Sequence, residues 1–338
     1  MQKLFTLFCV SFVLVASAQQ LTPAELKQFK LREDSLKQFG YEIVRGKDAA
    51  VRFRSDSNFT RILVRALIQD KSYQFPFDSL KTISKVYSPD SSFRIFTWQV
   101  VRDDDYCRQK GFIQLRNPKG KEKFIPLRDA DQFIANDVDT VANNMWWVGA
   151  VYYRILEKEH NGRKFYTLFG YDENDARTTK KWLDVMWFDD NGTPMFGIPA
   201  AFSYAKDSVP KPALNRFLLE YKKDGRARVQ YDEEMDMIIF DHLVSETNEP
   251  GKRYTLIPDG DYEGFKWTNG QWLHIDKVFD FKLKDGEAPI PEAIDFNNRL
   301  LKMGEGMEEI PTTTKPAPKK PITTKPAAKP PVKKKTGG

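Results

Sequence analysis

The sequence predicts a mainly β protein, a β-rich α+β fold. It would be an antiparallel meander forming a curved, packed or propeller-like sheet assembly, with N-terminal helices. Three observations lead there. Strand-length runs rich in aromatic and β-branched residues crowd 92–281. Asn-Gly and Asp-Gly pairs, suited to tight turns, fall between the runs. No long helical pattern is interleaved with them, which disfavours a doubly wound α/β fold. With 41% hydrophobic, 30% charged and two cysteines in 338 residues, the chain is neither collagen-like, disulfide-stapled nor wholly disordered.

Residues 1–18 read as a secretory leader. Lys3 precedes an uncharged apolar run over 4–15, and Ala16-Ser17-Ala18 supplies small residues for cleavage. That run is too short for a stable membrane anchor. Cys9 lacks small residues before it, so a lipid anchor is not expected there. Cleavage would leave Cys107 as the single cysteine, unable to form an intramolecular disulfide. Asp103, Asp104 and Asp105 beside it would raise its thiol pKa by like-charge repulsion, which favours an inert side chain over a nucleophile. The three aspartates themselves read as a hairpin turn.

An N-terminal helical region is expected over 19–85. Thr22-Pro23-Ala24-Glu25 carries a capping residue, a first-turn proline and the capping-box glutamate. Leu26, Phe29, Leu36 and Phe39 share one face, and Gly40 ends the pattern, so a helix is expected over 23–39. A second is expected over 57–70 from Phe59, Ile62, Leu63, Ala66 and Leu67. A short third helix could start at Asp78-Ser79-Leu80.

The β-rich domain is assigned to 86–310. Its runs are 92–101, 112–115, 146–156, 164–171, 181–188, 215–221, 227–231, 235–240, 262–267 and 272–281. Turn pairs stand at Asn161-Gly162, Asn191-Gly192, Asp224-Gly225 and Asn269-Gly270. A two-residue loop at the last sets Thr268 opposite Gln271 and Trp267 opposite Trp272.

Residues 311–338 form a Lys/Pro/Thr-rich tail with a ten-residue repeat, expected to be extended and disordered. Its cations are Lys315, Lys319, Lys320, Lys325, Lys329, Lys333, Lys334 and Lys335. Without them and Lys3, 44 of the 53 basic residues remain against 47 acidic ones, so the net +6 belongs to the tail and the body is near −3. Export and an acidic body argue against nucleic acid as partner. The tail instead suits weak, salt-screened contact with an anionic envelope surface.

Ser88-Pro89-Asp90 followed by Phe93-Arg94-Ile95-Phe96, the run Tyr166-Thr167-Leu168-Phe169-Gly170-Tyr171-Asp172, Phe188-Asp189 with Phe196-Gly197, Ile239-Phe240-Asp241-His242-Leu243, and Asp259-Gly260-Asp261-Tyr262-Glu263-Gly264-Phe265 stand out in the β-rich region. Together they resemble an uncharacterised secreted protein family of Bacteroidota. The resemblance covers about 86–281 and implies an exported, periplasmic or surface-associated protein. It carries no activity. That phylum's O-glycosylation pattern would fit Asp34-Ser35-Leu36, Asp78-Ser79-Leu80, Asp139-Thr140-Val141 and Asp207-Ser208-Val209.

Candidate sites are few. Trp146 and Trp147 are neighbours, so in a strand they would face opposite ways. Trp267 and Trp272 would form a paired platform for a glycan or an envelope protein. Asp259, Asp261 and Glu263 alternate around glycines and could gather oxygens about calcium. Asp172, Asn174 and Asp175 form a second polar cluster. The histidines His160, His242 and His274 lack zinc spacing. No signature calls for a cofactor, and no catalytic motif is present. The expected function is an exported non-enzymatic binding or cell-envelope structural protein. The alternative is a carbohydrate-active hydrolase whose acid pair the sequence does not single out.

Overall fold

A computed structural model describes residues 20–103, 106–117 and 123–279. The chain divides into units 1–280 and 281–338, and all the described structure belongs to the first. The leader and the lysine tail lie outside the described residues.

Helix α1 (Pro23–Arg45) starts as its capping box dictates, with Glu25 N–H donating to Thr22 and Thr22 N–H to Glu25. It passes through Gly40 and runs six residues beyond the expected end at 39. Gly40 is buried where Thr82 and Phe59 approach closely, so it serves packing and not termination. Helix α2 (Ala49–Leu67) starts eight residues before its expected position, capped by Asp48, which accepts from Val51 N–H at 2.8 Å. The Asp78 segment forms a turn; a 3₁₀ turn instead occupies Ser72–Gln74.

Three sheets follow. The first orders β1 (Ser84–Tyr87), β2 (Phe93–Asp103), β3 (Tyr106–Leu115) and β4 (Lys123–Arg128) as an antiparallel meander. The middle sheet holds β5 (Ala142–Asn143), β6 (Val151–His160), β7 (Arg163–Asp172), β8 (Thr178–Phe188) and β9 (Pro194–Phe196). The chain then contributes β10 (Phe202–Ser203) to the third sheet and returns with β11 (Phe217–Lys222), which pairs with β8. The third sheet is completed by β12 (Val229–Asp232), β13 (Met237–Ser245), β14 (Leu256–Thr268) and β15 (Gln271–Ile275), in the order β10-β15-β14-β13-β12. Among the described strand pairs, only β10 and β15 run parallel.

Strand periodicity explains the stacking. On β2, Phe96, Trp98 and Val100 pack against Phe29, Leu36, Phe59 and Leu63 of the helices. The alternate residues Phe93 and Ile95 pack with Tyr152, Leu168, Trp182 and Met186 of the middle sheet. The other face of that sheet, through Phe169, Leu183, Val185, Phe217 and Leu219, meets Ile238, Phe240, Phe265 and Trp272 of the third. The result is four layers, helices and three sheets, with a core at each interface. A packed assembly is therefore what forms, neither a propeller nor a closed barrel. The helices share a core with the first sheet, so they are a layer of the same unit and not a separate module.

The Asn269-Gly270 turn has φ of 50° and 83°, and the register sets Trp267 opposite Trp272 and Thr268 opposite Gln271, as expected. Asn161-Gly162 closes the β6–β7 hairpin in the same way, with φ of 51° and 72°. Asp224-Gly225 differs: it joins β11 to β12, which lie in different sheets, so it closes no hairpin. Asp104 and Asp105 lie outside the described residues, although Asp103 and Tyr106 pair across the β2–β3 junction. The expected run to 281 stops as strand at Ile275. Among the described residues, no helix is long and apolar enough to cross a membrane.

Candidate functional site

Two groups of carboxylates stand out. The first lines a cavity of about 100 Å³ at the junction of the first and middle sheets. β3 brings Tyr106, Cys107 and Gln109 to it; Asp129, Asp131 and Gln132 follow β4; Asp172 ends β7 and Asn174 follows it. Trp147 fixes the Asp129 segment, because its backbone bonds Arg128 and Ala130 on either side. The indole of Trp147 is buried and donates to the Tyr152 hydroxyl at 2.7 Å.

The hydrogen bonds orient the acids. Gln109 N–H donates to Asp129 Oδ2 at 2.8 Å, and Gln109 Nε2 donates to Asp172 Oδ1 at 2.6 Å. Asn174 N–H also reaches Asp172 Oδ1, at 2.9 Å. Gln109 Oε1 is buried and has no hydrogen-bond partner. Burial dominates the electrostatics and raises the carboxyl pKa of Asp129 and Asp131. It pushes Asp172 up to about 6, against the Asn174 N–H and the charge of Lys180. Cys107 lies in the same wall. Burial, then Asp172 and Glu173, hold its thiol far above the usual range. The pKa is raised as expected, but burial is the main cause, and the leading repelling acids are Asp172 and Glu173 rather than the neighbouring Asp103.

The second group sits on the inner face of the third sheet. His274 on β15 is buried against the rings of Tyr204, Phe240 and Phe265. Its Nδ1 lies 2.9 Å from both carboxylate oxygens of Asp207, and its Nε2 lies 2.8 Å from Glu263 Oε2. Glu263 Oε1 is 3.6 Å from His242 Nε2, and His242 Nδ1 is 2.8 Å from Asp259 Oδ2. The result is a chain, Asp207–His274–Glu263–His242–Asp259. Burial works against a charged His274, yet the bonds to Glu263 and Asp207 outweigh it and raise its pKa. Burial likewise opposes ionisation of Asp259, and the Asp261 N–H together with His242 overcomes it, lowering that pKa.

The expected trio is thus divided. Asp259 and Glu263 each hold a histidine, while Asp261 is exposed and bonds Asp259 only through its N–H at 3.0 Å. Among the described residues, the group whose donor atoms converge within 4.8 Å is Asp207, His274 and Asp276. Asp241 does not orient His242; the two point to opposite faces, and Asp241 accepts from Arg228 N–H at 2.6 Å.

Of the four tryptophans, only Trp146 presents an exposed ring, 53% accessible. It lies in a turn, not a strand. Trp272 is fully buried, with its indole N–H on Thr167 at 2.9 Å, and Trp267 is half-buried against it and Phe165. The pair fixes register but offers no surface platform, because the middle sheet covers it.

Sequence reading missed Gln109, Asp129, Asp131 and Asp276, and named Asp207 only within a glycosylation pattern. Their convergence depends on sheet stacking and on the β10–β15 crossover. The one local signal was Asp129-Ala130-Asp131 directly after an alternating strand. No protein-family model, curated protein or solved structure matches the chain.

Proposed function

We propose that the protein is an exported, non-enzymatic binding protein of the cell envelope whose body holds a hard divalent cation, calcium first, in the pocket of Asp129, Asp131 and Asp172. One observation carries this reading: buried Gln109 Oε1 has no partner beside three carboxylates whose charge burial disfavours. Oxygen acceptors of this kind suit calcium or magnesium, and the three carboxylates, which do not converge within 4.8 Å as they stand, would close on the ion when it binds. A cavity of about 100 Å³ admits an ion with a few waters, each water occupying roughly 30 Å³.

The hydrolase reading has one observation in its favour, since carboxylates with raised pKa in a common cavity are what a general acid requires. Size weighs against it. Ligand pockets run to roughly 300–1,000 Å³, above the about 100 Å³ of this cavity. Export rests on residues 1–18 and on the resemblance to Bacteroidota secreted proteins. In this reading the tail lysines provide salt-sensitive contact with an anionic envelope surface. A chain ended at Ile310 should then lose envelope binding at low salt.

Calorimetric titration of chelator-treated full chain with calcium tests the cation site. One site with a dissociation constant of about 0.1–1 mM, as in extracellular modules, is expected, and Asp172→Asn should abolish it. No heat with wild type, or equal binding by the variant, would remove the pocket from this role. Turnover on a glycosidase panel, lost in the same variant, would establish the hydrolase instead.

A further inference from the structure

We infer that Asp207, His274 and Asp276 form a second metal site, selective for a transition-metal ion of the zinc type. It is separate from the calcium pocket and does not rest on it. The argument starts from the chemistry of the donors. A buried imidazole nitrogen with carboxylates suits zinc better than calcium, which prefers oxygen alone.

The spacing fits as well. Zinc–ligand bonds of about 2.0–2.1 Å in a tetrahedron place neighbouring donors ~3.3 Å apart. His274 Nδ1 lies 2.9 Å from the Asp207 oxygens, and all three donor atoms lie within 4.8 Å of one another. Small side-chain shifts reach the required distances from either side.

A second observation, independent of the carboxylates around Nδ1, is the bond on the far side of the ring. His274 Nε2 meets Glu263 Oε2 at 2.8 Å. With Nε2 keeping its proton on Glu263, a metal would displace the Nδ1 proton that Asp207 accepts, and the freed lone pair would face the Asp207 side. Metal-bound histidines are oriented by just such a carboxylate on their other nitrogen. Around the ring stand Tyr204, Phe240 and Phe265, an apolar wall that keeps bulk water from the inner side. Asp276 is exposed at the outer side. Three protein donors leave a fourth position for water or for a donor atom of a ligand. Glu263 is then a positioning residue, and His242 with Asp259 braces its other oxygen.

The test uses the full chain, purified without a histidine tag and stripped with chelator. It is titrated with zinc against a chromophoric competitor, with calcium in parallel. Wild type is expected to bind one zinc that excess calcium does not displace. Asp276→Asn, at an exposed position that leaves the core intact, should weaken zinc at least tenfold. Glu263→Gln should weaken it by about 10–100-fold through loss of ring orientation. Asp172→Asn should leave zinc unchanged, which separates this site from the pocket. Absence of zinc binding in wild type would overturn the inference. So would equal affinity in wild type and Asp276→Asn, since the zinc would then sit elsewhere.

Discussion

The cavity between the first two sheets and the inner face of the third both concentrate carboxylates, yet they settle the charge in opposite ways. In the cavity, burial wins: Asp129, Asp131 and Asp172 are all held above ordinary carboxyl values. On the third sheet, Asp207 and Glu263 bracket His274, and Asp259 is held below its ordinary value with His242 as partner. Both groups lie at the ends or edges of strands, so position in the fold does not separate them. What separates them is the balance between burial and the partners that oppose it. In the cavity Lys180 acts on Asp131 and Asp172 through space and does not overcome burial; on the third sheet the imidazoles bond the carboxylates directly.

The strongest way to break this comparison is to remove a counter-charge where burial is complete. Arg216 and Asp184 are both buried, 3.0 Å apart, and Arg216 also donates to the Asp137 and Phe196 carbonyls. Arg216→Met should cost about 3–5 kcal/mol in urea unfolding, because it strands the Asp184 carboxylate. Adding Asp184→Leu should recover most of the loss. If the single variant proves harmless, an intramolecular counter-charge is not what decides between the two regions.

The cavity should show the reverse sign. An unfolded Asp172 ionises near its ordinary 3.8, whereas the folded one is raised to about 6. The native state therefore binds the proton more tightly, and stability falls as pH rises between those values. Asp172→Asn should stabilise the calcium-free chain at pH 7 by about 1–3 kcal/mol. The gain should vanish below about pH 4. Destabilisation at pH 7 would mean that Lys180 already balances the carboxylate. A variant both more stable and unable to bind calcium is what a binding site under strain would yield.

Much of this architecture was legible in the chain, and the reasons are local. The capping box at Thr22, the alternation along β2 and the Asn269-Gly270 turn each act within a few residues, so each leaves a readable pattern. The extent of α2 was not legible, because its first turns carry Arg52, Arg54 and Ser57 and depend on the Asp48 cap and tertiary packing. The sites were read only in part. Asp259 and Glu263 stood out by alternation, but their histidine partners come from β13 and β15. Asp207 reaches His274 only because β10 crosses to pair with β15. Trp272 looked like a surface ring because a hairpin alone does not reveal that a second sheet lies over it.

Asp90 gives a smaller effect, with pH dependence opposite to that of Asp172. It joins the β1–β2 loop to the middle sheet, accepting from Lys164 at 2.8 Å, Tyr166 at 3.0 Å and Ser92 at 2.7 Å. Burial favours its neutral form, but the bonds from Lys164 and Ser92 prevail and hold its pKa well below 3.8. Its contribution is therefore complete above about pH 4 and is lost as pH falls further. Asp90→Asn should cost about 1 kcal/mol at pH 7 and nothing at strongly acid pH, read from urea midpoints. A penalty that persists in acid would assign the effect to loop geometry.

The smallest effect comes from the outer arm of the histidine chain, where the decisive variable is exposure. His242 and Asp259 are 2.8 Å apart, as close as the His274 contacts, but their side chains are 39% and 27% accessible. Water competes for both groups and screens the pair, so the bond is worth far less than its length implies. His242→Ala should lower stability by no more than about 0.5 kcal/mol at pH 7. The buried Arg216 change provides the contrast on the same urea scale. The variant should nevertheless loosen Glu263, because His242 Nε2 stands 3.6 Å from the Oε1 that faces away from His274. Zinc affinity should therefore fall by a few-fold while the unfolding midpoint barely moves. A large stability loss would make the outer pair part of the core's support. Unchanged zinc affinity would leave Glu263 positioned by His274 alone.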